Sequence, residues 1–201
     1  MLVLYGKPTS INVRKVLWLC AELDLAFTHD PAPAPDLLAT LNPNRQVPVL
    51  RDGDFVLWES NSICRYLAAR QGRDDLLPTV AHDRARVEQW MDWQATDLNS
   101  AWRHVFMARV RQHPDFADDA RAEASLTHWN QLMGTLDAQL AASNAYVAGS
   151  TFTLADIVLG LSAQRWRSTP GNKPALPHVE AWFERLRQQP GFTAYVDNGV
   201  A

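Results

Sequence analysis

The segment RQVPVLRDGDFVLWES, Arg45 to Ser60, decides how the rest of the chain is read. Its two short apolar runs, Val47 to Arg51 and Phe55 to Trp58, are joined by Asp52-Gly53, which is the pattern of a β-hairpin. Pro48 sits inside the first run. A proline cannot donate to a strand ladder, so it belongs at an edge, at a strand start or in a bulge. Pro48 therefore marks a point where the backbone leaves its pairing. Glu59-Ser60 then opens a helical pattern over Ser60 to Arg70, with Ile63, Tyr66 and Leu67 on one face.

Working outward, Leu2 to Tyr5 is an apolar run closed by Gly6 and reads as a buried strand. Val13, Val16, Leu17, Cys20 and Leu23 recur at helical spacing, which predicts a helix over about Ser10 to Leu23. Thr9 or Ser10 is its natural N-cap, just after Pro8. Ala26 to His29 is a weak second strand, and PAPAPDLLATLNPN is irregular with a helical turn at Asp36 to Leu41. The order strand, helix, strand, irregular helix, hairpin, helix gives an α/β unit. Its first two strands are parallel through a crossover, and the hairpin completes a four-stranded sheet. Beyond Leu77-Pro78 only helical periodicity is visible, over Asp83 to Gln112, Asp118 to Ala142, Thr153 to Arg165 and Leu176 to Gln188. The expected domains are 1–77 and an all-α domain over 83–201.

Composition narrows the class. The 201 residues are 47% hydrophobic and 20% charged with a net charge of −3, so there is no basic footprint for nucleic acid. No apolar run approaches the roughly 20 residues needed to span a bilayer, and MLVLYG does not resemble a signal peptide. The two cysteines, Cys20 and Cys64, form no C-x-x-C pair and fit core positions in a reducing, cytoplasmic setting. The six histidines show no metal-ligand spacing, so no metal is expected.

Four motifs stand in order along the chain: SINVRKV (10–16), NPNRQVPVL (42–50), LWESNSI (57–63) and FTLADI (152–157). Together they resemble the glutathione transferase family over nearly the whole length. The resemblance implies a thioredoxin-like N-terminal domain with Pro48 in cis, followed by an all-helical domain. In that frame the backbone of Val47 turns outward and pairs with the cysteinyl part of glutathione, as a strand edge pairs with an added strand. Glu59-Ser60 reads by itself as an N-cap with a nearby acid. The resemblance adds a ligand: the Ser60 hydroxyl and the helix amides donate to the γ-glutamyl carboxylate, and Glu59 faces the ammonium. Arg45 and Gln46, solvated by default, occupy a slot that in the family often faces the glycyl carboxylate.

Ser10 carries the chemistry that the resemblance implies. A hydroxyl at this helix start donates to the glutathione sulfur in theta- and delta-like members, whereas beta- and omega-like members have a cysteine nearby. A hydrogen bond to an anion is worth about 1.5–3 kcal/mol, or one to two pKa units. The helix N-terminus adds about 0.3–1 kcal/mol. A thiol near 8.5 would thus move toward roughly 7 or below. Thr9 and Asn12 remain alternatives, since a one-residue shift of the cap exchanges their roles.

In the second half, Thr153-Leu-Ala-Asp156 reads as a capping box for stability, with Phe152 and Ile157 as its staple. Trp102 and Phe106 are candidates to line an apolar pocket for the electrophile, with Arg103 or His104 polarising it and Trp166 as a further candidate. For any one of them, ordinary packing between helices is the stronger explanation. The implied protein is a cytoplasmic homodimer that uses glutathione as co-substrate, holds no permanent cofactor, attacks a small hydrophobic electrophile, and meets neither membrane nor nucleic acid. Rival readings are a glutathione-dependent isomerase or dehalogenase on the same fold, or a non-catalytic binding protein. Zeta-type isomerases usually show a Ser-Ser-Cys cluster, which KPTSIN lacks. Binding-type relatives tend to erode the Val-Pro and Glu-Ser motifs, which are intact.

Overall fold

The computed structural model describes residues 1–143 and 145–200. The chain divides into two compact units, residues 1–77 together with 189–200, and residues 78–188. The first unit contains β1 (Leu2–Tyr5), α1 (Ile11–Glu22), β2 (Thr28–Asp30), α2 (Pro35–Leu41), β3 (Val49–Asp52), β4 (Phe55–Trp58) and α3 (Ser60–Arg70). The sheet order is β2-β1-β3-β4. β1 pairs with β2 in parallel and with β3 antiparallel, and β3 and β4 form the hairpin. β1 is central and buried at every residue, as its unbroken apolar run requires.

Three boundaries differ from the sequence pattern. β2 lies at Thr28–Asp30, because Thr28 is the residue in register with Val3. β3 starts at Val49, since Pro48 has no N–H to give the ladder. The hairpin loop is Gly53-Asp54, and not Asp52-Gly53: Asp52 pairs with Phe55, and Gly53 takes the positive φ of 61° that the tight turn needs.

The second unit is helical: α4 (Ala81–Trp93), a π-helical turn (Gln94–Leu98), α5 (Asn99–Ala101), α6 (Arg103–Arg109), a 3-10 turn (Pro114–Phe116), α7 (Asp119–Ser143), α8 (Leu154–Ser168) and α9 (Pro177–Leu186). The expected single helix from Asp83 to Gln112 is therefore broken. The wider π turn rotates the helix face, which leaves Leu98, Ala101, Val105 and Phe106 all buried. α8 is the core helix, buried from Leu154 through Trp166. It opens on the Thr153–Asp156 capping box. The fully buried Asp156 carboxylate also accepts from the Val147 N–H at 3.0 Å and the Trp182 indole N–H at 2.8 Å. The last helix, α10 (Phe192–Tyr195), returns to the first unit and packs on α1.

Candidate functional site

The first unit converges on Val47, whose peptide bond to Pro48 is cis. Gly6 makes the approach possible. At φ 144° it closes β1, donates its N–H to the Asp30 carbonyl (2.9 Å) and accepts from His29 Nε2 (2.8 Å). A carbonyl only accepts, so Nε2 carries the proton of that ring. A Cβ on Gly6 would stand 2.6 Å from Val13 Cγ2 and 2.9 Å from Val47 Cβ. Only glycine therefore lets β1, α1 and the Val47 loop meet.

The loop before Val47 is tied from inside by Asn42. Its buried side-chain amide donates to the Gln46 carbonyl (2.8 Å) and accepts from the Asn44 N–H (2.9 Å). Arg45 then takes φ 53°. Among the described residues, neither the N–H nor the C=O of Val47 has a protein partner. Val47 is half-buried, so these two groups form a short piece of strand edge open to a peptide-like ligand. Beside it lies a depression of about 460 Å³, lined by Lys7, Arg45, Gln46 and Val47, with Pro31 to Pro33 and Leu38 completing the wall. Lys7 escaped the sequence reading. Its only signal was a cation two residues before the Thr-Ser cap, and it gives the depression two exposed cations suited to a carboxylate.

At the same open end of the hairpin, where Val49 pairs with Trp58, Glu59 sits at φ 73° with its carboxylate exposed. Such a backbone costs about 1–3 kcal/mol in a non-glycine residue and clusters at functional sites. No side chain caps α3. Its first residue, Ser60, is only 6% exposed, yet its hydroxyl has no protein partner among the described residues. An uncapped helix start with a free hydroxyl is suited to an anion. Behind it, Asn61 Oδ1 accepts from the buried Lys15 ammonium at 3.2 Å, which ties α3 to α1.

Ser10 is the N-cap residue of α1 in backbone terms. It takes φ −79° and ψ 125°, donates its N–H to the Lys7 carbonyl and accepts from the Arg14 N–H, each at 3.0 Å. Its hydroxyl makes no capping bond, so it keeps its donor. Ser10 is half-buried, whereas Thr9 and Asn12 are exposed. Ser10, Glu59 and Ser60 do not line the Lys7 depression, which gathers only Arg45, Gln46 and Val47 from the expected set.

The residues expected to line an electrophile pocket fall in four different places in the second unit. Trp102 meets Phe106 edge-on at 5.3 Å, and both rings face the buried Arg165 guanidinium, at 4.5 and 4.4 Å to their centroids. The cation on this aromatic pair is thus Arg165, which the sequence reading missed because it sits inside an apolar helical stripe. Arg103 is exposed. His104 packs against Phe116 at 5.1 Å, with its Nε2 buried and unpartnered among the described residues. Trp166 donates to Asn130 Oδ1 at 2.8 Å on another side of α8. Cys20 and Cys64 are buried, and burial pushes both thiols up to about 12, so they stay protonated. Among the described residues, no group of three or more His, Cys, Asp or Glu is placed to hold a metal, and no helix is long and apolar enough to cross a membrane.

The family model for the glutathione S-transferase N-terminal domain matches residues 4–75, and that for the C-terminal domain matches residues 100–190. Glutathione S-transferase GstB of Escherichia coli (strain K12) is 35% identical over 203 residues, covering 94% of this chain and 95% of that protein. The theta class glutathione S-transferase from Xanthomonas axonopodis pv. citri, solved with glutathione bound, aligns with a TM-score of 0.90 at 37% identity, over 100% of this chain and 99% of that one. Elongation factor 1-gamma 1 of Oryza sativa subsp. japonica is 31% identical over 155 residues, which is 76% of this chain and 36% of that protein.

Proposed function

The chain belongs to the glutathione S-transferase family, and on that premise we propose that it activates the glutathione thiol at Ser10 for attack on a small hydrophobic electrophile. The observation that carries the reading is Val47, whose backbone N–H and C=O are unpaired beside a cleft with two cations. The cysteinyl unit of glutathione pairs with that edge. Its glycyl carboxylate lies toward Lys7, Arg45 and Gln46. The γ-glutamyl carboxylate takes the Ser60 hydroxyl and the start of α3, and its ammonium faces Glu59.

The Ser10 hydroxyl keeps its proton and donates a hydrogen bond to sulfur, while the thiol proton leaves to water. The sulfur lone pair then forms the S–C bond, and a leaving group departs with its electron pair. On an activated double bond, the resulting carbanion takes a proton from solvent instead. Proximity and thiolate activation supply the rate. Within the second unit, the Trp102–Phe106 pair with Arg165 is an aromatic surface carrying a cation. By the same premise the protein works as a cytoplasmic homodimer.

The test is the ultraviolet thiolate band of bound glutathione, titrated with pH for the wild type and Ser10→Ala. We expect a band that titrates well below the free thiol and moves up by roughly one to two units in the variant. An unmoved band would transfer the role to Thr9 or Asn12. The similarity to elongation factor 1-gamma favours a second reading, a glutathione-binding protein without turnover. Ligand binding with no thiolate band and no product from any electrophile would select it.

A further inference from the structure

The stretch from residue 189 to residue 200 leaves the helical unit and builds onto the outer side of α1. The contact is specific. Gly191 lies so close to Trp18 that a Cβ there would stand 2.3 Å from Trp18 Cδ1 and 3.2 Å from Ala21 Cβ. Phe192 meets the Trp18 ring edge-on at 5.8 Å, and Phe192 and Val196 are completely buried. At the far end of α1, Glu22 Oε1 accepts from the Trp18 indole N–H (2.7 Å) and lies within reach of the Gly191 N–H (3.5 Å).

At the near end the tail is held by Arg14. Its buried guanidinium donates from Nη1 to the Val200 carbonyl at 2.8 Å and to Asn198 Oδ1 at 3.3 Å, with the Tyr195 carbonyl at 3.5 Å. Asn198 is the hub of this end. Its Oδ1 also accepts from the Val200 N–H (3.1 Å), and its Nδ2 donates to the Ala194 carbonyl (3.1 Å).

Arg14 is also the residue whose backbone N–H closes the first turn of α1 on the Ser10 carbonyl at 3.0 Å. The Ser10 hydroxyl has no capping bond of its own, so the backbone of that turn sets where its side chain starts. We infer that residues 189–200 are a brace that fixes the first turn of α1 and so aims the Ser10 hydroxyl, with Arg14 as the positioning residue through which it acts. The inference rests on the glutathione reading for its chemical consequence, while the brace itself is measurable without any ligand.

Asn198 is exposed, so changing it leaves the buried Phe192 and Val196 in place. Asn198→Ala removes an acceptor of Arg14, whereas Asn198→Asp keeps an oxygen there and gives it a charge. Two readouts are compared in full-length protein. The first is hydrogen exchange of residues 11–16 without ligand. We expect it to be roughly tenfold faster in Asn198→Ala, the factor set by losing one hydrogen bond to a charged group, and unchanged or slower in Asn198→Asp. The second is the thiolate titration of bound glutathione. We expect it to move up by about half a unit in Asn198→Ala, part of what the Ser10 bond supplies, and to return in Asn198→Asp. Unchanged exchange of α1 in Asn198→Ala overturns the brace. Faster exchange with an unmoved thiolate overturns the positioning role of Arg14. Faster exchange in a protein whose wild type shows no thiolate band leaves the brace standing and removes the glutathione reading instead.

Discussion

Gly6 is the residue on which the ligand edge depends. Adding one methyl there would press on Val13 and Val47 together; Val13 is completely buried, whereas Val47 lies in the loop before β3, which begins only at Val49. The φ of 144° is itself costly for any side chain. Gly6→Ala should therefore cost about 2–4 kcal/mol of stability, by overpacking and backbone strain together. It should also weaken glutathione binding, because the Val47 loop is the part that must give. Thermal unfolding and ligand titration check both, and a variant with a normal melting point and normal affinity would refute the role. At this scale the sequence was partly legible. Pro48 stood out as a proline within a strand run, and Glu59 and Ser60 through the motif that carries the family resemblance. Lys7, Asn42 and Arg165 did not, since a cation before a cap, an amide in a loop and an arginine in an apolar stripe have ordinary explanations until their neighbours are known.

Among the elements, the start of α8 is the one the sequence described most fully, because a capping box is a local pattern whose partners lie three residues apart. The pattern did not tell that Asp156 would also take the N–H of Val147 and the indole of Trp182, joining α8 to the preceding loop and to α9. Burial raises the Asp156 carboxyl to about 6, against the opposing pull of those hydrogen bonds. The folded protein then keeps a proton that the unfolded chain releases near pH 4. Stability from this group is fully present below that pH and is lost as pH rises toward 6. Relative to Asp156→Asn, which has nothing to titrate, the wild type should lose up to about 3 kcal/mol between pH 4 and 6. Urea midpoints across that range test it, and parallel curves would count against it. Asp156→Ala orphans four donors and should cost about 2–4 kcal/mol at neutral pH. The π turn at Gln94–Leu98 was illegible for the converse reason. Helical periodicity continues through it, and one extra residue per turn changes only which side chains are buried.

At the scale of the whole molecule, the change from mixed to purely helical patterning near Leu77-Pro78 was visible in the sequence, because strand and helix periods differ. The return of residues 189–200 to the first unit was not, because GFTAYVDNGV carries apolar residues but no mark of which surface will cover them. That return has a measurable consequence. Residues 1–77 alone would expose the face of α1 on which Phe192 and Val196 are completely buried. Two such side chains contribute about 3–6 kcal/mol, comparable to the entire stability of a small domain. A chain ending at Leu77 should therefore be largely unfolded at room temperature, or unfold at a much lower urea concentration than the same chain with residues 189–200 rejoined through a flexible glycine-serine linker. The emission of Trp18 and Trp58 and the far-ultraviolet dichroism follow both chains. Coincident unfolding curves would mean that the sheet and its two long helices suffice, and that the tail rests on α1 without stabilising it.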